Sequence, residues 1–230
     1  MQNWRLLVIL SLLAGYVDTA GFLALHGLFT AHVTGNFVTM GAALTHGSSG
    51  ALAKLLALPV FCLIVALMRL FDRALSPRGR WGLRHQLVLQ LALLCLGCAL
   101  AIWFGPFPEG DAWPAVVTGM VLVAAMAIQN AVQRLYLSAG PPTTLMTGST
   151  TQIVIDLVDM ARGLAPEARQ AAGARFRKMA ASVLSFAVGC AAGALGYHWF
   201  GERCFIGAPV LSLLALGAAL AARNGEARQP

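Results

Sequence analysis

The stretch HVTGN, His32–Asn36, interrupts an apolar part of the chain with residues that membrane helices rarely contain. Glycine and threonine are weak helix formers, and polar side chains such as histidine and asparagine are costly to bury in lipid. A second stretch, LMTGS at Leu145–Ser149, repeats the pattern in a similar apolar setting. The two motifs therefore predict that the chain breaks its helices twice, in the same way.

The composition indicates a polytopic helical membrane protein, with the lipid bilayer as its first partner. Of the 230 residues, 58% are hydrophobic and only 11% are charged, whereas soluble domains carry about 25% charged residues. The net charge of +7 comes from basic residues in short connections, which is how orientation is encoded in membranes. No aromatic residues are interleaved with them as in single-strand binding proteins, so we expect no nucleic-acid partner.

Six apolar runs have about the 17–25 residues that a membrane crossing needs. Two further helical pieces, about Thr34–Leu44 and Thr147–Met160, are too short or too polar to be ordinary spans. The six runs are Trp4–Leu25, Ala51–Phe71, Gln86–Phe104, Ala115–Leu137, Met179–Trp199 and Phe205–Ala222.

The charges of the connecting loops predict how these pieces cross the membrane. Arg69–Arg84 and Arg162–Lys178 are rich in basic residues, whereas Gly105–Pro114 has two acids and no base. If the two short pieces crossed fully, the two basic loops could not both be cytoplasmic. If they dip in and return, six spans place both basic loops, Arg5 and the tail inside. We therefore predict six transmembrane helices plus two re-entrant half-helices, with both termini cytoplasmic.

This arrangement implies one membrane domain made of two three-span repeats. Residues 1–104 form the first repeat, residues 115–222 the second, and residues 223–230 a cytoplasmic tail. Three crossings in each half make the second repeat inverted. Thr34-Gly35 matches Thr147-Gly148, and with a one-residue gap Asp18 matches Asn130.

Asp18 lies near the middle of the first span, where a carboxylate must face the protein interior or a water cavity. It is either a proton- or cation-responsive group on a transport route or a structural acid. On the fourth span, Asn130 and Gln129 are candidates for the same route, and their alternative role is interhelical hydrogen bonding. Arg134 near the inner end either contacts substrate or extends to the interface.

The Thr-Gly motifs predict two binding positions. Each opens a short helix after an irregular approach, and the prolines before the second motif forbid helix there. Threonine can cap a helix amino terminus, and the bare N–H groups of that terminus suit an anion or a polarised group. Two such ends entering from opposite faces would meet near the midplane; otherwise they are packing kinks. The residues concerned are Thr34, Gly35, Asn36, Thr147, Gly148 and Ser149.

Two further residues, like Arg134, are weaker candidates. His32 precedes the first motif and could titrate near neutral pH. Asp156 follows the second motif toward the cytoplasm and is either functional or solvated opposite Arg162. Gly189, Gly193 and Gly196 form a small-residue face that allows close helix packing, within one subunit or between the two subunits of a homodimer.

Four segments resemble the YoaK family of uncharacterised bacterial membrane proteins: GYVDTAGF (Gly15–Phe22), AHVTGN (Ala31–Asn36), IQNAVQR (Ile128–Arg134) and TTLMTGS (Thr143–Ser149). The last departs from the pattern, because Ser149 stands where asparagine is expected. The resemblance covers essentially the whole chain and implies a bacterial inner-membrane protein. It supplies neither a substrate nor a reaction.

The sequence carries no Walker loop, Ser-His-Asp order, HExxH or dinucleotide fingerprint, so we predict no enzyme and no cofactor. Cys95 and Cys98 lack the companions of a zinc site, so we predict no metal and interpret them as buried apolar residues. Our leading hypothesis is a transporter or channel for a small-molecule or ionic solute, with anions considered first. The alternative is a scaffold or assembly factor whose polar residues join helices. A third hypothesis, an intramembrane enzyme, would need Asp18 and Asp156 to meet.

Overall fold

The computed structural model describes residues 4–46, 49–75 and 82–226, and all regular secondary structure in these ranges is helical. Eight α-helices follow one another, and a 3-10 turn at Gly201–Ile206 separates the last two. The helices are α1 (Trp4–Ala24), α2 (Gly35–His46), α3 (Ala51–Leu75), α4 (Leu83–Phe104), α5 (Trp113–Tyr136), α6 (Thr147–Arg162), α7 (Pro166–Phe200) and α8 (Gly207–Glu226).

The lengths and hydropathy of these helices are those of a multi-pass membrane protein. Within the described ranges, five helical stretches are long and apolar enough to cross a bilayer: α1, α3, α4, α5 and the continuous stretch Pro166–Ala222. That last stretch contains α7 and most of α8. At about 1.5 Å per residue, α7 with its 35 residues is about 52 Å long, which exceeds the hydrocarbon core of about 30 Å.

The second basic segment differs from its prediction. We expected Arg162–Lys178 to be a loop, but α7 begins at Pro166 and most of the segment is helical. Proline is favoured in the first turn of a helix, and the alanines and arginines that follow are strong helix formers. The predicted short helices are confirmed, since α2 begins at Gly35 and α6 at Thr147.

The helices pack in a regular set of pairs around α1 and α5, the two most buried spans. Helix α1 packs against α7 and α8, and α5 packs against α3 and α4. Helix α2 lies along α3, α6 lies along α7, and α4 contacts α8. Helices α1 and α5 also touch each other.

The glycine face of α7 packs within this chain, against α1. A Cβ added at Gly189 would lie 2.1 Å from the carbonyl oxygen of Leu12, and one at Gly15 would lie 2.1 Å from that of Phe186. Only residues without a side chain allow the two backbones to approach this closely. Because α1 covers Gly189 and Gly193, a homodimer would have to use another face.

Hydrogen bonds mark the two ends of the helix bundle. We call them the acidic end, at the loop between α4 and α5, and the basic end, where α3 and α5 finish. At the acidic end, the imidazole Nε2 of His26 lies 2.8 Å from the carbonyl oxygen of Phe107, and the Gly110 N–H donates to Ser49 Oγ at 2.6 Å. At the basic end, the Tyr136 hydroxyl donates to Asp72. Helix α1 finishes at the acidic end and α5 begins there. Helix α7 also finishes there, because Glu202 in the turn that follows it lies against Gly105. The starts of α1 and α7 therefore lie at the basic end and that of α5 at the acidic end.

Candidate functional site

The first irregular segment, residues 25–34, is held by a carboxylate on the helix that it follows. Asp18 Oδ1 accepts hydrogen bonds from the N–H groups of Thr30 and Ala31, both at 2.7 Å, and from the Thr30 hydroxyl at 3.3 Å. Asp18 is 5% exposed and lies six residues before Ala24, the end of α1, which is about 9 Å along the helix. The first segment therefore turns back into the bundle beside α1.

Asn36 closes the first segment from the other side. Its Oδ1 accepts the Phe29 N–H at 2.8 Å, and its Nδ2 donates to the Phe29 carbonyl at 2.8 Å. The first-turn N–H groups of α2 are also paired: Gly35 bonds to the carbonyl of His32, Asn36 to that of Val33 and Phe37 to that of Thr34. The expectation of bare N–H groups is therefore wrong here, because a 3-10 turn satisfies them. The acceptor that faces this segment is the carboxyl group of Asp18 on α1.

The second irregular segment, residues 137–146, is held by neutral amides of α5. Gln129 Nε2 donates to Thr143 Oγ1 at 3.1 Å and to the Leu10 carbonyl at 2.8 Å. The Thr144 hydroxyl donates to Asn130 Oδ1 at 2.8 Å. Gln129 lies seven residues before Tyr136, the end of α5, or about 10 Å along the helix. The second segment also turns back beside the helix that it follows.

Two serines connect the second segment with the bundle core. Ser182 on α7 donates to the Pro142 carbonyl at 3.1 Å, and its hydroxyl lies 2.6 Å from that of Ser11 on α1. Gln133 donates to the carbonyls of Leu137 and Gly140 at 2.9 and 3.4 Å. Side chains of α5 and α7 thus bond to this segment, and Ser11 of α1 reaches it through Ser182.

The start of α6 is open, unlike that of α2. Thr147 and Gly148 are exposed, and within the described residues no acceptor bonds the N–H groups of Thr147, Gly148 or Ser149. Ser149 is buried and its Oγ has no partner among those residues. Thr147 does not cap the helix as predicted, because the cap position is Met146 and no side chain bonds there. An open groove of about 610 Å³ runs along Met146, Thr147, Thr150, Thr151, Val154 and Ile155.

The predicted residues thus divide into two groups. Asp18 and Asn36 hold the first segment, and Gln129 and Asn130 hold the second. His32 is half-buried, with its ring 5.7 Å from that of Phe29. Arg134 is exposed in the last turn of α5.

Asp156 is neither solvated nor paired with Arg162. Its side chain is fully buried and bonds to Arg175, with one bond from Arg175 Nε of 2.9 Å, and to Gln152 at 2.8 Å. The bonds from Arg175 hold the pKa of Asp156 below its ordinary value against the opposing effect of burial, and Gln152 adds to them. The pair joins α6 to the basic beginning of α7. Asp18 and Asp156 therefore have separate partners.

Asp111 binds the amino end of α3 at the acidic end. Its carboxylate accepts the N–H groups of Gly50 at 2.9 Å and Leu52 at 2.8 Å. Burial acts to raise the pKa of Asp111, but the N–H donors of Gly50, Leu52 and Ala51 and the charge of Lys54 hold it below its ordinary value. This contact fixes the loop between α4 and α5 to the start of α3.

The cysteines also differ from their prediction. Cys98 is buried, as expected, but Cys95 is exposed on the outer surface of α4. Within the described ranges, no three His, Cys, Asp or Glu side chains gather as a metal site would require.

Sequence reasoning missed the polar residues of α4 and their partners. Gln86 and Gln90 are fully buried, and Gln86 bonds to Tyr136, which in turn bonds to Asp72. The available signal was the spacing of the two glutamines, four residues apart in an apolar run, which places them on one helix face.

These features define a multi-pass helical membrane protein in which buried polar side chains hold two irregular segments. The chain belongs to the family described as "Protein of unknown function (DUF1275)", which matches residues 6–218. No curated protein and no solved structure matches it.

Proposed function

We propose that this protein is a small-solute transporter or channel of the bacterial inner membrane, with both termini cytoplasmic. In this proposal the chain crosses six times, α7 and α8 cross separately, and α2 and α6 are re-entrant helices of two inverted repeats. The resemblance to the YoaK family belongs to the same proposal.

The packing of the helices supports the two repeats. If α1 to α4 are exchanged with α5 to α8, the pair α1–α7 becomes α5–α3, and α1–α8 becomes α5–α4. The pair α2–α3 becomes α6–α7, while α4–α8 and α1–α5 map onto themselves. A two-fold relation between the halves accounts for this exchange, and inverted repeats of this kind are common in transporters.

The observation that carries the proposal is the return of both irregular segments into the bundle. Lipid provides no partners for exposed backbone, so irregular structure at membrane depth occurs only against protein or a water-filled cavity. Here side chains on α1 and α5, of which Asp18 and Gln129 are buried and Asn130 partly buried, hold two residues of each segment about 9–10 Å back from the helix ends. These residues are Thr30, Ala31, Thr143 and Thr144. Such positions form the solute sites of transporters with broken helices.

The two segments would have different roles in transport. The start of α6 offers unpaired N–H groups at Thr147, Gly148 and Ser149, which can bind a polar group of the solute. Asp18 would be the coupling group, because protonation of its carboxylate weakens the bonds that hold Thr30 and Ala31. The proposal assigns no chemical reaction and no cofactor to the chain.

The alternative function is a scaffold or assembly factor. The bonds from Asn36 to Phe29 and from Arg175 to Asp156 favour it, because both are closed within the protein.

Reconstitution into liposomes tests the proposal. Flux of a panel comprising protons, chloride, acetate, glycerol and methylammonium would be compared for the wild type, Asp18→Asn, Thr147→Val and Thr34→Val. We expect flux of at least one solute, loss of its pH dependence in Asp18→Asn, and a larger effect of Thr147→Val than of Thr34→Val, whose helix start is already paired. A protein that moves none of these solutes supports the scaffold.

Cysteine labelling tests the crossings separately. Single cysteines placed at Arg80 and Arg169 should react with an impermeant reagent from the same side of the membrane, and one at Glu109 from the other side. Labelling of the first two from opposite sides would contradict six crossings.

A further inference from the structure

Helices α4 and α5 carry two polar stripes that face each other inside the bundle. Gln86 and Gln90 lie one turn apart on α4, and Gln129, Gln133 and Tyr136 follow one another at similar spacing on α5. Gln90 Nε2 donates to Gln129 Oε1 at 2.9 Å, and Gln86 Nε2 donates to the Tyr136 hydroxyl at 3.3 Å. We call this set of four glutamines and one tyrosine, from both helices together, the amide stripe.

The orientation of the central amides is fixed by their partners. Gln129 bonds to the Leu10 carbonyl and so must present its NH2 group there, which leaves its oxygen to accept from Gln90. Gln133 must present its NH2 group to the carbonyls of Leu137 and Gly140. These two contacts therefore determine where the amide oxygens of Gln90 and Gln133 lie.

The same reasoning fixes Gln86. The Tyr136 hydroxyl donates its only proton to Asp72 and must accept from Gln86 Nε2. Asp72 is in turn paired with Arg69, whose Nη1 lies 3.0 Å from Asp72 Oδ2. Exchanging nitrogen and oxygen in any of these amides would set two donors or two acceptors against each other.

Three amide oxygens are left over. The Oε1 atoms of Gln86, Gln90 and Gln133 are buried and have no hydrogen-bond donor in the part of the chain that the structure describes. The residues are 0%, 0% and 8% exposed. Buried polar atoms are nearly always paired in folded proteins, so three unpaired acceptors on one stripe indicate that something else binds to them.

We propose that the amide stripe is a binding site for a small monovalent cation, either an ammonium-type ion or an alkali metal ion. All three unpaired atoms accept and none donates. A water molecule donates only two hydrogen bonds and a hydroxyl group only one, and each brings an oxygen that also accepts, as does the carbonyl of urea. An ammonium group offers three or more donors and no acceptor, and a metal ion takes only oxygen ligands. Amide oxygens can replace the hydration shell of such an ion, as backbone carbonyls do in cation channels.

Ligand-dependent stability tests this proposal without transport. The full-length protein in detergent would be unfolded thermally in methylammonium chloride, potassium chloride or sodium chloride, with choline chloride at equal concentration as the salt control. A ligand that binds the folded state raises its melting temperature. We expect a concentration-dependent rise with at least one of the three small cations beyond that in choline, and the comparison among them identifies the ion class.

Two variants assign this effect to the stripe. Each of the variants Gln90→Leu and Gln86→Met removes one unpaired oxygen and should weaken the apparent cation affinity about tenfold. If Gln90→Leu does not fold, Gln86→Met provides the same test. Ser212→Ala removes a buried hydroxyl without a described partner on α8, outside the stripe, and should leave the affinity unchanged. No cation effect beyond that in choline, or an effect insensitive to both variants, would overturn the proposal.

The cation site itself does not depend on the proposed transport function. Only the flux measurements that follow rest on that function. In liposomes, cation flux that falls in Gln90→Leu and not in Ser212→Ala supports both proposals. Cation-dependent stabilisation without flux supports the binding site and contradicts the transporter. Flux of chloride or acetate without cation-dependent stabilisation supports the transporter and overturns the cation site.

Discussion

The two irregular segments are built alike but held by different chemistry. A carboxylate, Asp18, accepts three bonds from the first segment, whereas the second segment is held by the neutral amides of Gln129, Asn130 and Gln133. Charged acceptors form stronger hydrogen bonds than neutral ones. The first segment is therefore the more firmly fixed of the two.

The helices that follow the two segments, α2 and α6, differ in the same way, since the start of α2 is the more tightly bonded. The start of α2 is closed by the bonds of Gly35, Asn36 and Phe37, while the N–H groups of Thr147, Gly148 and Ser149 have no partner within the described residues. The molecule thus has one anchored irregular segment and one open helix start. This difference predicts that substitutions in the first segment mainly change stability and those at the start of α6 mainly change binding.

Among the substitutions that separate the two segments, loss of the Asp18 carboxylate should lower the free energy of unfolding most. Asp18→Leu leaves the N–H groups of Thr30 and Ala31 buried without an acceptor, at about 1–3 kcal/mol each, so the free energy of unfolding should fall by about 2–6 kcal/mol. Unfolding in mixed detergent micelles measures it. The matched variant Asp18→Asn keeps an acceptor oxygen and should lose less. Equal stability of Asp18→Leu and wild type would remove the basis for an anchored first segment.

Gln129→Leu should come second. It removes the bonds to Leu10 and Thr143 and leaves the NH2 group of Gln90 unpaired, so we expect a loss of about 2–3 kcal/mol in the same unfolding measurement. Amide hydrogen exchange in residues 137–146 should accelerate more than in residues 25–34. If the first segment exchanged faster instead, the two halves would not be held independently.

The sequence contained the positions of both breaks but not the way in which they are held. The Thr-Gly motifs and the prolines before the second one act locally, so the starts of α2 and α6 followed from them. The acceptor of Thr30 is 12 residues away along the chain, and the partner of Asp156 is 19 away on another helix. Such contacts depend on tertiary packing.

The amide stripe was missed for a related reason. The spacing of Gln86 and Gln90 places both on one face of an apolar run, but it does not identify the helix or the side chains that this face meets. Only the packing of α4 against α5 brings them to Gln129 and Tyr136. The helical start of α7 was missed because clustered charges were interpreted as a loop, although arginine and alanine favour helix.

Asn130→Ala should have a smaller effect than Gln129→Leu. The variant removes the bond from the Thr144 hydroxyl and the bond that Asn130 Nδ2 donates to the Met126 carbonyl within α5. Because Asn130 is only partly buried, a loss of about 1 kcal/mol is expected. The unfolding assay used for Asp18→Leu measures it. A loss as large as that in Asp18→Leu would show that the neutral amide of Asn130 stabilises the second segment as much as the carboxyl group of Asp18 stabilises the first.

The smallest loss of stability is expected at the amino end of α3, which a side chain binds, unlike the amino end of α7. Asp111 accepts the N–H groups at the start of α3, whereas α7 begins after Ala165 with no side-chain cap. Because Asp111 is exposed, solvent screening limits its charge contribution, and Asp111→Ala should cost less than about 1 kcal/mol at pH 7.

This contribution should depend on pH in a defined direction. The pKa of Asp111 is lower in the folded protein than its ordinary value of 3.8, so the stabilisation is fully present above that value and disappears as the pH falls through the folded pKa. The difference in unfolding free energy between wild type and Asp111→Ala should therefore shrink as the pH is lowered from 5 toward 2. Glu109→Gln, which removes a carboxylate from the same loop, is the matched control. A difference that stays constant over this range would mean that Asp111 acts through packing instead of its charge.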